Sequence, residues 1–158
     1  MTAPVRLIAA MTIDRVIGRG DGMPWNVPEE YRHFLDSVRG GAVIMGRRSF
    51  EIFGADLADA QPIVLTRRDH APTGALSARD LEAALDAARR LGLAPWIAGG
   101  ASVYEQALPR CDEMHLSFVP GRLDGDRWFP DWDRAAWRLA EERTRPSYLF
   151  RRYVRRSD

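Results

Sequence analysis

Short apolar runs alternate along the chain with segments in which apolar residues recur at helical spacing. Four short runs are typical of buried strands because they are almost continuously apolar: VRLIAAM, AVIMG, PIVLT and PWIAGG. Helical patterns occur from about Pro28, after Arg47, in ASVYEQAL and near 78–91, where the apolar repeat is Leu81, Ala84, Leu85 and Ala88. The tail contains MHLSFV, WRLAEER and SYLFRRYV, which are typical of strands with no helix between them. This order predicts an α/β domain with a mixed, mostly parallel sheet and helices on both faces.

The segment MPWNVPEEYRHF, residues 23–34, places two glutamates at the start of a predicted helix. Pro28 suits the first helical position, where a missing N–H leaves no bond unmade. The apolar residues that follow recur at i, i+3, i+4 and i+7 and predict one buried stripe: Tyr31, Phe34, Leu35 and Val38. At about 100° per residue, Glu29 lies opposite this stripe, as a solvated acid that favours the helix dipole. Glu30 lies on the flank of the stripe.

Glu30 is the unusual acid of the pair, because a carboxylate beside Trp25 and Phe34 must find a partner or take up a proton. A planar heterocycle with two parallel N–H donors would suit it, as the 2-amino-4-oxo edge of a pterin does. The geometry is equally compatible with a plain glutamate at the edge of the core.

Two predicted strands end in clusters of arginines and hydroxyls. The first cluster opens a helix, which is an anion-binding arrangement, and consists of Gly46, Arg47, Arg48 and Ser49. The second consists of Leu65, Thr66, Arg67 and Arg68. Such groups can hold an adenosine 2′-phosphate, which favours NADPH over NADH, although each cluster alone is also compatible with a solvated surface. Gly99 and Gly100 follow an apolar strand and allow the backbone to approach a pyrophosphate or nicotinamide closely.

Composition narrows the class of protein. With 158 residues, 46% of them hydrophobic and 28% charged, the chain suits one globular domain with a substantial core. A formal net charge of +1 gives no sign of a nucleic-acid binder, and no apolar stretch approaches the roughly 20 residues that span a bilayer. The basic residues are all arginine, and the basic run RRYVRR is predicted to be a solvated strand end. The single cysteine, Cys111, and the absence of a secretory signal lead us to expect a reducing cytoplasm, no disulfide and no metal site.

Several motifs occur together in an order that resembles dihydrofolate reductase. MPWNVPEEYRHF is preceded by DRVIG, followed by VIMGRRSFE and IVLTRR, and closed by IAGGASVYE and DGDRWFPD. The resemblance spans nearly the whole chain, so it implies a single domain over residues 1–158. It also implies an eight-stranded, mostly parallel sheet with flanking helices, NADPH as cofactor, a small dihydropterin substrate and a monomer.

The resemblance implies roles for residues of the pterin pocket. Glu30 takes the place of the active-site acid, which anchors the pterin and helps to deliver a proton to N5 while NADPH passes a hydride to C6. Apolar surroundings that raise its pKa would favour this delivery near neutrality. Trp25 matches a tryptophan that holds water near the acid, and Ser117 matches a hydroxyl that links the acid to the pterin. The other matched pocket positions are Ile8, Ala10, Tyr31 and Phe34.

The resemblance also implies a cofactor site and a closing loop. Residues 17–23, from Ile17 and Gly18 to Met23, match a loop that closes over the nicotinamide, although a plain glycine-rich surface loop is the alternative. Gly99 and Gly100 match a pair joined by a cis peptide bond. The remaining matched cofactor positions are Ala10, Gly46, Arg47, Arg48, Ser49, Leu65, Thr66, Arg67, Ala101, Ser102, Val103 and Tyr104, of which the last two are also compatible with the core.

The chain departs from the family pattern where the substrate tail is expected. Ala60 stands where the family has the arginine that binds the carboxylate of the glutamate tail of folate, and Asp56 and Asp59 lie beside it. Two further basic residues of the family are replaced by Ala55 and Leu35, and Arg32 or Arg39 would have to compensate. Three readings therefore remain: a dihydrofolate reductase, a reductase of another dihydropterin such as dihydromethanopterin or a tail-less pterin, and a non-catalytic NADPH-binding module.

Overall fold

An eight-stranded sheet organises the structure, a computed structural model that describes residues 3–20 and 22–157. Its strands are β1 (Arg6–Met11), β3 (Ala42–Gly46), β4 (Gln61–Leu65), β5 (Leu76–Ala78), β6 (Pro95–Ile97), β7 (Glu113–Phe118), β9 (Trp137–Thr144) and β10 (Leu149–Arg155). They lie in the order β5-β4-β3-β6-β1-β7-β10-β9. All neighbours from β5 to β7 are parallel, and β10 runs antiparallel to β7 and β9. The predicted mixed, mostly parallel sheet is therefore confirmed.

In the described part of the chain, four α-helices cover both faces of this sheet: α1 (Pro28–Val38), α2 (Arg47–Phe53), α3 (Leu81–Leu91) and α4 (Ala101–Ala107). Successive side chains of β3 point to opposite faces of the sheet. Ile44 packs in the core cluster that contains α3 and α4, and Val43 packs in the cluster that contains α1 and α2. None of the helices in residues 3–20 and 22–157 has the length and apolar character needed to cross a bilayer.

Helix α3 starts later than the pattern predicts. Ala78 ends β5, where it pairs with Leu65 of β4, so the predicted start near residue 78 is wrong. Asp80 caps the helix, since its carboxylate accepts a hydrogen bond from the N–H of Ala83 at 2.8 Å. The predicted apolar repeat of this helix is buried, at Leu81, Ala84, Leu85 and Ala88.

Helix α1 starts at Pro28 as predicted but buries different residues. Its two buried positions are Glu30 and Val38, whereas the rest of the predicted stripe is only half-buried: Tyr31, Phe34 and Leu35. The apolar stripe does not lie wholly against the sheet, because Tyr31 and Phe34 line an open cavity. Glu29 is exposed, as predicted, and accepts a hydrogen bond from the hydroxyl of Ser147 at 2.8 Å.

A second, two-stranded sheet pairs β2 (Val16–Gly18) with β8 (Arg127–Trp128). The sequence pattern did not predict it, since strands of two and three residues carry no readable periodicity. A Cβ on Gly125 would overlap the side chain of Val16 and the carbonyl of Gly18, so the two segments approach closely only because Gly125 has no side chain. This small sheet fixes the start of the glycine-rich segment beside the carboxyl end of β1.

Candidate active site

An apolar cavity lies between α1, α2, the carboxyl ends of β1 and β6, and the start of α4. Its lining includes Ile8, Ala10, Ile17, Gly18, Met23, Glu30, Tyr31, Phe34, Ser49, Ile52, Phe53, Gly99, Gly100, Ala101 and Tyr104. The carboxyl ends of parallel strands are where open α/β sheets bind their ligands. The walls are largely hydrocarbon and aromatic, so the cavity suits a flat, mostly apolar ring.

Glu30 is the acid of this cavity and is only 5% exposed. The hydroxyl of Ser117 donates a hydrogen bond to its carboxyl group, and Ser117 is held on β7 opposite Ala10 of β1. Burial raises the pKa of Glu30 from 4.5 to about 7, although the bond from Ser117 acts in the opposite direction. Near neutral pH the carboxyl group therefore exists in both protonation states, as a group that gives and takes protons must.

Glu30 can also be reached from a second side. A groove on the outer side of α1, the outer groove, is lined by Glu30 together with Met23, Trp25, Asn26, Val27, Pro28, Tyr31, Arg32, Leu35, Ile52 and Phe53. Trp25, which the resemblance places near the acid, and Met23, at the end of the matched loop, thus share a surface with Glu30. Apolar residues predominate in both surfaces that Glu30 lines, as its predicted apolar surroundings require.

Tyr104 and the glycine pair form the floor of the cavity. The hydroxyl of Tyr104 donates a hydrogen bond to the carbonyl of Ile8 at 2.7 Å, and burial raises the pKa of this phenol. The peptide bond between Gly99 and Gly100 is cis, as the resemblance implies. Gly99 has φ +103°, and a Cβ there would lie 3.3 Å from the ring of Tyr104, so only glycine brings the backbone this close.

A basic groove continues from the cavity along the ends of β3, β4 and β5. It is lined by Gly46, Arg47, Arg48, Ser49, Ile52, Leu65, Thr66, Arg67, Arg79, Asp80, Gly100, Ala101, Ser102, Val103, Gln106 and Arg127. Among the described residues, the lining contains five guanidinium groups and one carboxylate, that of Asp80, which is engaged in capping α3. The N–H groups at the start of α2 and the hydroxyls of Ser49, Thr66 and Ser102 add neutral donors. This donor set fits the phosphates of a dinucleotide.

The apolar cavity and the basic groove form one continuous surface. Ser49, Ile52, Gly100, Ala101 and Arg127 line both of them. A ligand with a flat ring at one end and phosphates at the other would therefore span the two without leaving the protein surface. A nicotinamide dinucleotide has this shape and charge.

The structure brings nearly all residues predicted for the site into the cavity, the outer groove or the basic groove. Ser117 lies behind Glu30 as its hydrogen-bond partner, and Arg68 lines a different groove. Asp21, in the predicted closing loop, lies outside the described residues. Ile52 and Phe53 were missed, although they follow Ser49 at i+3 and i+4 and helical spacing could have found them. Arg79 was missed because β5 was not recognised beside β4. Arg127 was missed because no pattern places β8 next to the glycine-rich segment.

The two aspartates close to Ala60 in the sequence, Asp56 and Asp59, are already paired with other side chains. The hydroxyl of Tyr31 donates a hydrogen bond to Asp56 at 2.5 Å. Arg39 binds Asp36 at 2.9 Å and Asp59 at 3.2 Å, so this guanidinium is engaged at the surface. Arg32 lines the outer groove together with Glu30.

Comparisons with known proteins all point to the same protein family. The sequence profile of dihydrofolate reductase matches residues 4–154. Dihydrofolate reductase HdrB of Haloferax volcanii is 36% identical over an alignment of 160 positions, which covers 95% of this chain and 82% of the relative. Dihydrofolate reductase type 3 of Salmonella typhimurium is 34% identical over 146 residues, which cover 90% of this chain and 88% of the relative.

A solved structure agrees in fold. The dihydrofolate reductase from Enterococcus faecalis, complexed with NADP(H) and RAB-propyl, superposes with a TM-score of 0.88. The alignment covers 98% of this chain and 97% of the solved chain at 24% identity. The eight-stranded sheet and its flanking helices are thus a known architecture.

Proposed function

Because the chain belongs to the dihydrofolate reductase family, we propose that it reduces 7,8-dihydrofolate to 5,6,7,8-tetrahydrofolate with NADPH. The observation that carries the proposal is the buried carboxyl group of Glu30, bonded to Ser117 at the wall of an apolar cavity. A carboxyl group in this setting can bind the N–H edge of a pterin and still exchange a proton near neutral pH.

Reduction of the N5=C6 double bond needs a hydride and a proton. NADPH, when bound, supplies the hydride to C6. Glu30 anchors the pterin edge and is the source of the proton that N5 gains, by way of water. Tyr31 and Phe34 pack against the ring in the apolar cavity, where exclusion of bulk water strengthens the bonds of Glu30.

The residues of the basic groove fit NADPH. Arg47, Arg48 and Ser49 open α2 at the end of β3, and Thr66 and Arg67 follow β4. The arginine and hydroxyl groups of both strand ends therefore line one groove. We assign the 2′-phosphate to the outer part of this groove, near Arg67 and Arg79, and the nicotinamide to the cavity beside Gly99 and Tyr104.

The test is steady-state oxidation of NADPH at 340 nm with dihydrofolate. Glu30→Gln is expected to lower kcat/KM by about 10²- to 10⁴-fold at neutral pH, because the proton source is lost, and to leave NADPH affinity unchanged. Glu29→Gln, one residue earlier and exposed, is the matched control and should retain activity. Tight NADPH binding without turnover of any dihydropterin would instead support the non-catalytic module.

A dihydropterin without a glutamate tail is the second candidate substrate, and the replacement of the tail-binding arginine by Ala60 favours it. Ala60 offers no cation, Asp56 and Asp59 carry negative charge, and Arg39 is already paired with Asp59. A missing arginine–carboxylate pair weakens binding by about 1.5–3 kcal/mol, or roughly ten- to a hundredfold.

Dihydrofolate and dihydromethanopterin should therefore be compared side by side in the same assay. Ala60→Arg is expected to raise kcat/KM for dihydrofolate by about ten- to a hundredfold while leaving dihydromethanopterin unaffected. If the wild type already prefers dihydrofolate and Ala60→Arg adds nothing, Arg32 or another group binds the tail and the second candidate is excluded.

We further propose that the protein acts as a single cytoplasmic domain and a monomer, without nucleic-acid partners. The single cysteine is buried and unpaired, and the charge is balanced at +1, which support these assignments. Size-exclusion chromatography with light scattering tests the oligomeric state.

A further inference from the structure

Arg127 lies at the junction of three features: the small sheet, the apolar cavity and the basic groove. It pairs with Gly18 across β2 and β8. A Cβ on Gly18 would be 3.4 Å from the Cβ of Arg127 and 3.6 Å from its Cδ, so the side chain runs along the glycine-rich backbone. The stem of Arg127 is therefore packed against the glycine-rich segment that the family resemblance matches to a closing loop.

The guanidinium of Arg127 binds this segment directly. Its Nη2 donates to the carbonyl of Gly20 at 2.8 Å, and Nη2 of Arg48 donates to the same oxygen at 3.3 Å. The N–H of Gly20 donates to the carboxylate of Asp126 at 3.0 Å, and the N–H of Asp126 donates to the carbonyl of Gly18 at 2.9 Å. Both polar groups of Gly20 are thus held by side chains outside the loop.

We propose that Arg127 is a positioning residue that couples binding of the pyrophosphate of the cofactor to the position that the glycine loop, residues 17–20, holds in this structure. The proposal rests on the proposed use of a nicotinamide dinucleotide. A guanidinium has five N–H donors, and Arg127 uses one of them on Gly20 while lining the groove in which the phosphates bind. An anion that contacts the remaining donors orients the guanidinium toward Gly20, and the loop in turn orients it toward the anion.

The position of Arg127 identifies which phosphate it serves. Arg127 lines both the apolar cavity and the basic groove, whereas Arg67 lines only the groove. The pyrophosphate lies between the nicotinamide and adenosine ends and is common to NADH and NADPH. Loss of Arg127 should therefore weaken both cofactors, and loss of Arg67 should weaken mainly NADPH.

The experiment compares the wild type with Arg127→Met, Arg127→Lys and Arg67→Met. Methionine keeps an apolar stem against Gly18 and removes the donors, and lysine keeps the charge without the forked geometry. Equilibrium binding of NADPH and NADH is measured by quenching of protein fluorescence. Amide hydrogen exchange of the peptide that contains residues 17–20 is measured with and without saturating NADPH.

Arg127→Met is expected to weaken both cofactors about tenfold, to speed exchange of the glycine loop without cofactor, and to reduce the protection that NADPH gives it. Arg127→Lys should recover most of the affinity but not the protection. Arg67→Met should weaken NADPH more than NADH and leave exchange of the loop without cofactor unchanged.

Two results overturn the coupling. If Arg127→Met weakens binding while NADPH protects the loop as in the wild type, Arg127 is a phosphate ligand only. If exchange rises by the same factor with and without cofactor and affinity is unchanged, Arg127 is a structural brace only. Failure of the wild type to bind either dinucleotide would refute the proposed function itself, and exchange without cofactor would still report whether Arg127 holds the loop.

Discussion

Glu30→Gln should change the stability of the protein in a way that depends on pH. Burial raises the pKa of Glu30 from 4.5 to about 7, so between these two values the folded protein holds a proton that the unfolded chain has lost. The stability that this group contributes is therefore complete below about pH 4.5 and is lost as the pH rises through about 7. This direction is the reverse of that for a carboxylate in a salt bridge.

The magnitude follows from the two pKa values. Their difference corresponds to about 3 kcal/mol at pH values well above 7, where the ionised carboxyl group remains buried in the fold. Glutamine has the same length, can still bond to the hydroxyl of Ser117 and carries no charge at any pH. We therefore expect Glu30→Gln to match the wild type near pH 4.5 and to be more stable by about 3 kcal/mol near pH 9.

Urea unfolding followed by circular dichroism at pH 4.5, 6, 7 and 9 measures this difference. Glu29→Gln is the control, because the exposed neighbour should stay within about 0.5 kcal/mol of the wild type at every pH. A constant offset between Glu30→Gln and the wild type across the whole range would refute the reasoning, since it would mean that the carboxyl group ionises in the fold as it does in the unfolded chain.

Two further substitutions test other parts of the fold. His33→Phe keeps a ring against Phe150 and removes an Nε2 atom that has no hydrogen-bond partner among the described residues. This substitution should add about 1 kcal/mol to the free energy of unfolding at neutral pH. The gain should be larger below about pH 6, because burial lowers the pKa of His33, so that protonation of the histidine opposes folding. A smaller gain at acid pH in urea titrations would contradict this. Gly125→Ala should lower the free energy of unfolding by about 1–3 kcal/mol and raise the KM for NADPH, because the added Cβ would separate β8 from Val16 and Gly18. An unchanged melting temperature and an unchanged KM in the 340 nm assay would show that the two segments can move apart freely.

Helical geometry was enough to single out Glu30 from Glu29. Two adjacent residues on a helix differ by about 100° in direction, and that angle predicted which acid would be exposed and which would face the apolar side. The same argument overestimated the burial of Tyr31 and Phe34, because it cannot tell an apolar side chain that packs in the core from one that lines a cavity. Family resemblance was needed to recognise them as part of a site.

Arg127 and Arg79 mark what the sequence could not predict. Each lies on or directly after a strand of two or three residues, whose position is set by partners distant in the chain. Local periodicity does not exist at that length, so neither strand was found and the two arginines were not placed near the site. The capping of α3 by Asp80 was readable in principle, because aspartate before an apolar repeat is a common helix start.

The strand order of the sheet has a consequence for synthesis of the chain. β1 emerges well before its partners β6 and β7, to which Leu7 and Ala10 pair through Ile97 and Ser117. At about 5–20 residues per second, this apolar strand waits roughly 5–20 s on the ribosome before both neighbours exist. The candidate site is completed equally late, since Ser117 belongs to β7. A nascent chain of this protein is therefore exposed to chaperones and to aggregation before Ser117 is available to bind the carboxyl group of Glu30.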